Sequence, residues 1–271
     1  MRMKWFFVVA ALFCGVSVSP AETINVAAAV SLREAITDAA TAYQADGGDA
    51  VTFTFGASGQ LAAQIQNGAP VDVFISAADK QVDDLSKAGL VDDSTRRVIA
   101  GNALVLIVPA DAKSPPAGFG ELAGDSMQKI AIGEPKTVPA GQYAMEVLKA
   151  LKLEEKVTPR LIFGANVRQV LEYVETGEVT AGMVYSTDAT EAGAKVKVVA
   201  TADPSTHQPI VYPAVVIKNS SKKPAGVKFL DYLGSEKGFA ALAARGFTRG
   251  ATAATNPSAE PAVGAAGGPG K

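Results

Sequence analysis

Short apolar runs alternate along this chain with stretches whose apolar residues recur every three to four positions. The runs at 23–28, 50–55, 71–76, 103–109, 129–132, 158–163, 181–184, 195–200 and 212–217 are rich in Val, Ile or Phe, the pattern of buried strands. Helical spacing marks 32–45, 59–67, 80–88, 140–151, 167–176, 188–192, 224–234 and 236–244; Leu32, Ile36, Ala39, Ala40 and Tyr43 share one face, as do Val167, Val170, Leu171 and Val174. Strand followed by helix, repeated along the chain, predicts an α/β protein with mainly parallel sheets. No repeat of solenoid length is present.

The two ends depart from this pattern. Arg2 and Lys4 precede an apolar stretch from Trp5 to Cys14, followed by small residues with Ser19 and Ala21 placed for cleavage before Glu22. This is the pattern of a secretory leader over residues 1–21, and its apolar part is too short to span a bilayer. Cys14 raises a lipoprotein reading, but the bulky Phe13 before it fits that motif poorly. At the other end, residues 250–271 are Ala, Gly and Pro with almost no large apolar side chain, which predicts a disordered tail. The folded unit is then 22–249.

Composition narrows the function. The chain has 271 residues, with 25 Lys plus Arg against 27 Asp plus Glu, so nucleic-acid binding through bulk charge is disfavoured. Loss of Arg2 and Lys4 with the leader leaves 23 − 27 = −4, and removes the only Cys. A Cys-free mature chain suits an oxidising compartment outside the cytoplasm. One Cys and one His exclude Cys-rich zinc sites and disulfide frameworks.

Ligands of open α/β sheets sit beyond the carboxyl ends of strands, where helices begin. Five such junctions stand out. In AAAVSLRE, Ser31 and Glu34 have capping-box spacing, and a plain helix cap is the expectation for that junction taken alone. In FGASGQL, two Gly flank Ser58 before an amphipathic helix, without the Lys-Ser/Thr pair of a nucleotide loop. In GEPKTVPAGQY, Pro139 suits a first helical turn and leaves the amides of Ala140 and Gly141 bare. In GANVRQV, Asn166 can cap the helix that Val167 begins, and Arg168 reads either as an anion ligand or, more commonly, as a solvated surface residue or the partner of a nearby acid. In GMVYSTDA, a strand delivers Tyr185 to its carboxyl end. Together they offer amide donors and hydroxyls, little fixed cationic charge and no catalytic constellation, which suits a small oxyanion bound without chemistry.

At these residues the sequence resembles the periplasmic molybdate-binding proteins of ABC transporters. The resemblance rests on AAAVSLREA, FGASGQLAAQIQNGAPVDVFISA, VPAGQYA, NVRQVLEYVETGEV, GMVYSTDA and VYPAVVI, and runs from about residue 24 to 247. It implies a two-lobed periplasmic-binding fold with a hinge and a ligand cleft, lobe one being 22–103 plus 213–249 and lobe two 104–212. It also implies that Ser31, Ser58, Ala140, Val167 and Tyr185 hold the oxyanion, and that molybdate or tungstate is the transported ligand, with no further cofactor. An inner-membrane permease with its ATPase is the implied partner of a periplasmic, monomeric receptor. Two positions depart from the family pattern: Val30, where many members carry Ala, and Gly59, where some carry Ser and a further hydroxyl.

Two alternatives stay open at this point. One is a receptor for sulfate or another oxyanion. The other is an enzyme, which would need His207, in the polar loop ADPSTHQP, beside Ser31 or Ser58. No G-x-S-x-G elbow or H-E-x-x-H motif supports it.

Overall fold

A computed structural model describes residues 22–250. The expected leader at 1–21 and nearly all of the expected tail lie outside the described residues. The chain forms β1 (Thr23–Ala29), α1 (Arg33–Ala45), β2 (Ala50–Gly56), α2 (Ser58–Gln66), β3 (Val73–Ile75), α3 (Asp79–Lys87), β4 (Val91–Gly101) and β5 (Leu104–Pro109). It continues through β6 (Ile130–Gly133), α4 (Pro139–Ala150), α5 (Glu154–Val157), β7 (Leu161–Gly164), α6 (Val167–Glu175), β8 (Ala181–Tyr185) and α7 (Ser186–Ala192). The last elements are β9 (Val196–Thr201), β10 (Val211–Ile217), α8 (Lys223–Gly234) and α9 (Glu236–Ala244). Among the described residues no helix is long and apolar enough to cross a membrane.

The strands make two five-stranded sheets, in the order β2-β1-β3-β10-β4 and β7-β6-β8-β5-β9, each the centre of one lobe. Four of the five strands in each sheet run in one direction, as the sequence expectation of mainly parallel sheets has it, and one strand in each is reversed. In the first, β1 runs parallel to β2 and β3, but β10 is antiparallel to both β3 and β4. In the second, β6 is parallel to β7 and β8, while β5 is antiparallel to β8 and β9. The reason is connectivity. The chain crosses between lobes twice, at 102–103 and 202–210, and each crossing carries it into a strand laid antiparallel among parallel neighbours. The first sheet resumes at Val211, paired with Gly101, two residues before the boundary expected from sequence.

The sequence pattern also missed β4. Its residues VDDSTRRVIAG are largely polar, and apart from Thr95 only its start and end are buried. It is an edge strand, where charged side chains can face water and also discourage pairing with another chain. The strands β1, β3, β5, β6, β8 and β10 are buried along most of their length, with side chains alternating between two covered faces. Val73 and Ile75 point into a core that includes Ile24, Val26, Ile36 and Val216, whereas Phe74 joins Leu61, Ile65, Val82, Leu85 and Val215 on the opposite face under α2 and α3. The same alternation puts Tyr212 with Ala214 and Val216, fully buried beside the cleft.

Candidate oxyanion site between the lobes

β1, β2, β7 and β8 all end at one place, each followed within three residues by a helical turn, and α4 begins there too. Ser31 lies in a 3-10 turn, Val30–Leu32, between β1 and α1. Ser58 is the first residue of α2, and Val167 the first of α6. Ala140 follows Pro139 in the first turn of α4. Tyr185 closes β8. These five residues line one small cavity between the lobes, together with Ala29, Val30, Gly56, Ala57, Ala77, Val138 and Pro139. Each of the five is 3% exposed or less.

None of these lining residues carries a charge. The polar groups they offer are hydroxyls and first-turn amides, which have no acceptor inside their own helices. The Ser58 oxygen accepts a hydrogen bond from the Ala77 amide at 3.0 Å, so its hydrogen is left to donate elsewhere. The Tyr185 hydroxyl is buried and has no hydrogen-bond partner among the described residues. Burial holds the pKa of Tyr185 well above the ordinary tyrosine value of 10.0, so it stays a neutral donor. An anion with several acceptor oxygens would satisfy this set; a cation would not.

Ser31 does not cap α1, as its sequence spacing with Glu34 had suggested. The N-cap of α1 is Leu32 and no side chain caps it. The Ser31 hydroxyl instead lies 3.0 Å from the Tyr212 hydroxyl, and Glu34 reaches across the cleft to Arg168 at 2.6 Å. Asn166 does cap α6, its side chain accepting from the Gln169 amide at 3.1 Å. Arg168 is outside the cavity lining and pairs with acids on two sides, Glu34 in lobe one and Asp188 in lobe two. Its Nε is 2.8 Å from Asp188 Oδ1 but misaligned for a hydrogen bond, so that contact is chiefly coulombic. His207 is absent from the cavity lining; its Nδ1 sits 2.7 Å from the Gln208 carbonyl oxygen and its ring meets Tyr143 edge-on.

Sequence reasoning passed over Tyr212, Asn102 and Asp188. Asp188 was read only as the start of a short helix. That helix begins at Ser186, which makes Asp188 a first-turn residue whose carboxylate accepts from the Tyr185 amide at 3.2 Å. It is fully buried, and burial pushes its carboxyl up to about 7 although the Arg168 charge opposes the rise.

The lobes touch directly around the cavity. The Gly59 amide donates to the Thr137 carbonyl at 2.9 Å, and the Tyr143 hydroxyl to the Ala77 carbonyl at 3.4 Å. A Cβ on Gly59 would come within 2.7 Å of the Thr137 backbone. So a Ser at 59 does more than add a hydroxyl: it obstructs this closed arrangement.

Two lobes of this topology, meeting over a buried donor-lined cavity, define a two-lobed binding protein that closes on a small solute. Residues 24–248 match the family model described as bacterial extracellular solute-binding protein. The molybdate-binding protein ModA of Haemophilus influenzae is 37% identical over 86% of this chain and 93% of its own length. A putative ABC transporter substrate-binding lipoprotein of Bacillus subtilis, YvgL, is 38% identical over 83% of this chain and 86% of that one. The periplasmic molybdate-binding protein of Azotobacter vinelandii superposes with a TM-score of 0.74 at 28% identity, over 83% of this chain and 98% of that structure. The chain belongs to the bacterial extracellular solute-binding family, and its relatives include proteins named for molybdate.

Two outcomes follow from the geometry. Gly59→Ser disfavours the closed arrangement, so small-angle scattering will give a larger radius of gyration than for the unaltered protein; equal radii would show that closure does not need Gly at 59. Asp188 keeps its proton in the folded state up to about pH 7, while the unfolded chain releases it near the ordinary value of 3.8. The stability it contributes is therefore fully present below pH 3.8 and is lost as pH rises to about 7. Denaturant unfolding across that range will show a shallower fall for Asp188→Asn than for the unaltered protein; parallel curves would place the titration elsewhere.

Proposed function

We propose that this protein is an extracytoplasmic receptor that binds molybdate, and tungstate, in the inter-lobe cavity and hands it to an ABC permease and its ATPase for import. The observation that carries the reading is the chemistry of the cavity: its lining brings together the hydroxyls of Ser31, Ser58 and Tyr185 and the first-turn amides of Ala140 and Val167, with no charged side chain. In this reading Ser31, Ser58 and Tyr185 donate through hydroxyls, and Ala140 and Val167 through backbone amides. Its relatives that are named for molybdate support the choice of anion. The protein acts as a monomer outside the cytoplasm after loss of its leader, and performs no catalysis.

The magnitudes are sufficient. Hydrogen bonds to a charged group contribute ~1.5–3 kcal/mol each, so five such bonds give roughly 10 kcal/mol before closure and ordering costs. Micromolar affinity requires about 8.2 kcal/mol. The starts of α2, α4 and α6 add partial positive charge at the anion, which replaces the fixed cation that the cavity lacks. Because the lobes contribute separate donors, Ser31 and Ser58 from one and Ala140, Val167 and Tyr185 from the other, anion binding favours the closed form.

The same donors discriminate. Phosphate near neutral pH often carries a proton that needs an acceptor, and burying that hydroxyl against donors alone costs ~1–3 kcal/mol. Sulfate has no proton but is smaller, so fixed donors on opposite walls cannot all reach it. Molybdate and tungstate share charge and size and both fit.

Thermal unfolding with each anion in turn tests this, since a ligand bound only by the native state raises Tm by mass action. Molybdate and tungstate will raise it strongly, sulfate and phosphate little. Ser31→Ala and Ser58→Ala will each weaken molybdate binding about 10- to 100-fold, the loss of one charge-assisted hydrogen bond. A dominant response to sulfate would make the protein a receptor for that anion instead, and no response to any of the four would remove the oxyanion reading.

A further inference from the structure

Resting on the receptor reading, we propose that Asn102 and Tyr212 are positioning residues that fix the direction of the Ser31 hydroxyl, so that its hydrogen is presented to the bound oxyanion. Asn102 lies in the first crossing between the lobes, after β4 and before β5. Its side-chain oxygen sits 2.9 Å from the Ala103 backbone nitrogen. A backbone N–H can only donate, so that atom of the amide must be the oxygen, and the orientation of the Asn102 side chain is settled. The Ser186 hydroxyl donates to the same oxygen at 2.8 Å.

The Asn102 amide nitrogen then faces two hydroxyls, Thr187 Oγ1 at 2.9 Å and Tyr212 OH at 3.2 Å, and it can only donate to both. Having accepted from Asn102, the Tyr212 hydroxyl has one hydrogen to place. Ser31 Oγ is 3.0 Å away and is the acceptor the structure provides. Tyr212 is fully buried, so the opposite direction would strand its hydrogen with neither acceptor nor water. Burial also raises the Tyr212 pKa far above neutrality, so the hydrogen is retained. Ser31, having accepted from Tyr212, turns its own hydrogen toward the cavity.

Ser58 reaches the same state by a shorter route, accepting from the Ala77 amide. The two serines therefore present the anion with hydrogens whose direction is set by the protein. One is set by a backbone amide within lobe one. The other is set by a chain of side chains that draws on both lobes: Ser186 and Thr187 from α7, Asn102 from the crossing, and Tyr212 from β10. The direction of the chain is what spends the Ser31 hydrogen on the cavity and not on Tyr212.

A double-mutant cycle on the full mature chain tests this, with molybdate affinity measured by calorimetry for the unaltered protein, Tyr212→Phe, Ser31→Ala and the pair. Tyr212→Phe keeps the ring that packs edge-on against Phe247 and removes only the hydroxyl. It will weaken molybdate binding about tenfold, the scale of one charge-assisted hydrogen bond. In the Ser31→Ala background the same change will cost less than about twofold, because the residue it acts through is gone. Asn102→Asp, whose carboxylate cannot donate to Tyr212, enters the same cycle and will show the same non-additivity if Tyr212→Phe fails to fold. A purely structural role for Tyr212 and Asn102 gives equal losses in both backgrounds, which overturns the inference while leaving the receptor reading in place. Failure of the unaltered protein to bind molybdate overturns both.

Discussion

Buried hydrogen-bond donors need acceptors, and the cleft of this protein gathers donors from five places onto one small volume. Ser58 and Tyr185 each hold a hydrogen that the described structure does not use, and the amides of Ala140 and Val167 stand at helix starts where no intrahelical acceptor exists. Exposed to water, such a set is ordinary. In a cavity whose lining is nearly all buried it favours a ligand made of acceptors. Much of the architecture serves that condition: strands end together, helices begin together, and the lobes meet with small residues at the seam. Gly59 is the clearest case, since any side chain there would meet the Thr137 backbone.

Charge is kept one layer back. Arg168, the most tempting cation near the cleft, is held between Glu34 and Asp188 instead of reaching the cavity. Glu34 belongs to lobe one, and Arg168 and Asp188 to lobe two, so the pairing helps hold the lobes together. A second ion pair across the seam joins Arg245 to Glu191 at 2.9 Å. Asp188 in turn accepts from the amide of Tyr185, which ties the buried carboxyl to the backbone that places the Tyr185 hydroxyl. In the proposed site the anion is met by dipoles, while the ion pairs join residues of the two lobes outside the cavity.

The sequence made much of this legible because the site is built from strand-to-helix junctions, and junctions carry local signals: Gly56 and Gly59 around Ser58, Pro139 before Ala140, Asn166 before Val167. What it hid depends on contacts distant along the chain. Ser31 and Glu34 have the spacing of a capping box, but Tyr212, 181 positions away, takes the hydroxyl, and Arg168 takes the carboxylate. Tyr212 read only as the start of an apolar strand, and the lobe boundary drawn after it obscured its place beside Ser31. Strand β4 was hidden by its polar edge. The one reversed strand in each sheet could not be read either, because β5 and β10 have the same apolar composition as the neighbours they oppose.

The central claim is that neutral donors, all keeping their hydrogens, hold a fully deprotonated dianion. Calorimetric titration with molybdate at pH 8.5, above the titration of Asp188, in two buffers of different ionisation enthalpy measures the protons exchanged on binding. The account predicts tight binding with no net proton taken up or released, and the same enthalpy in both buffers. Uptake of a proton would mean that the anion enters protonated or that an ionised group meets it, and absence of any heat would mean that the cavity holds something else.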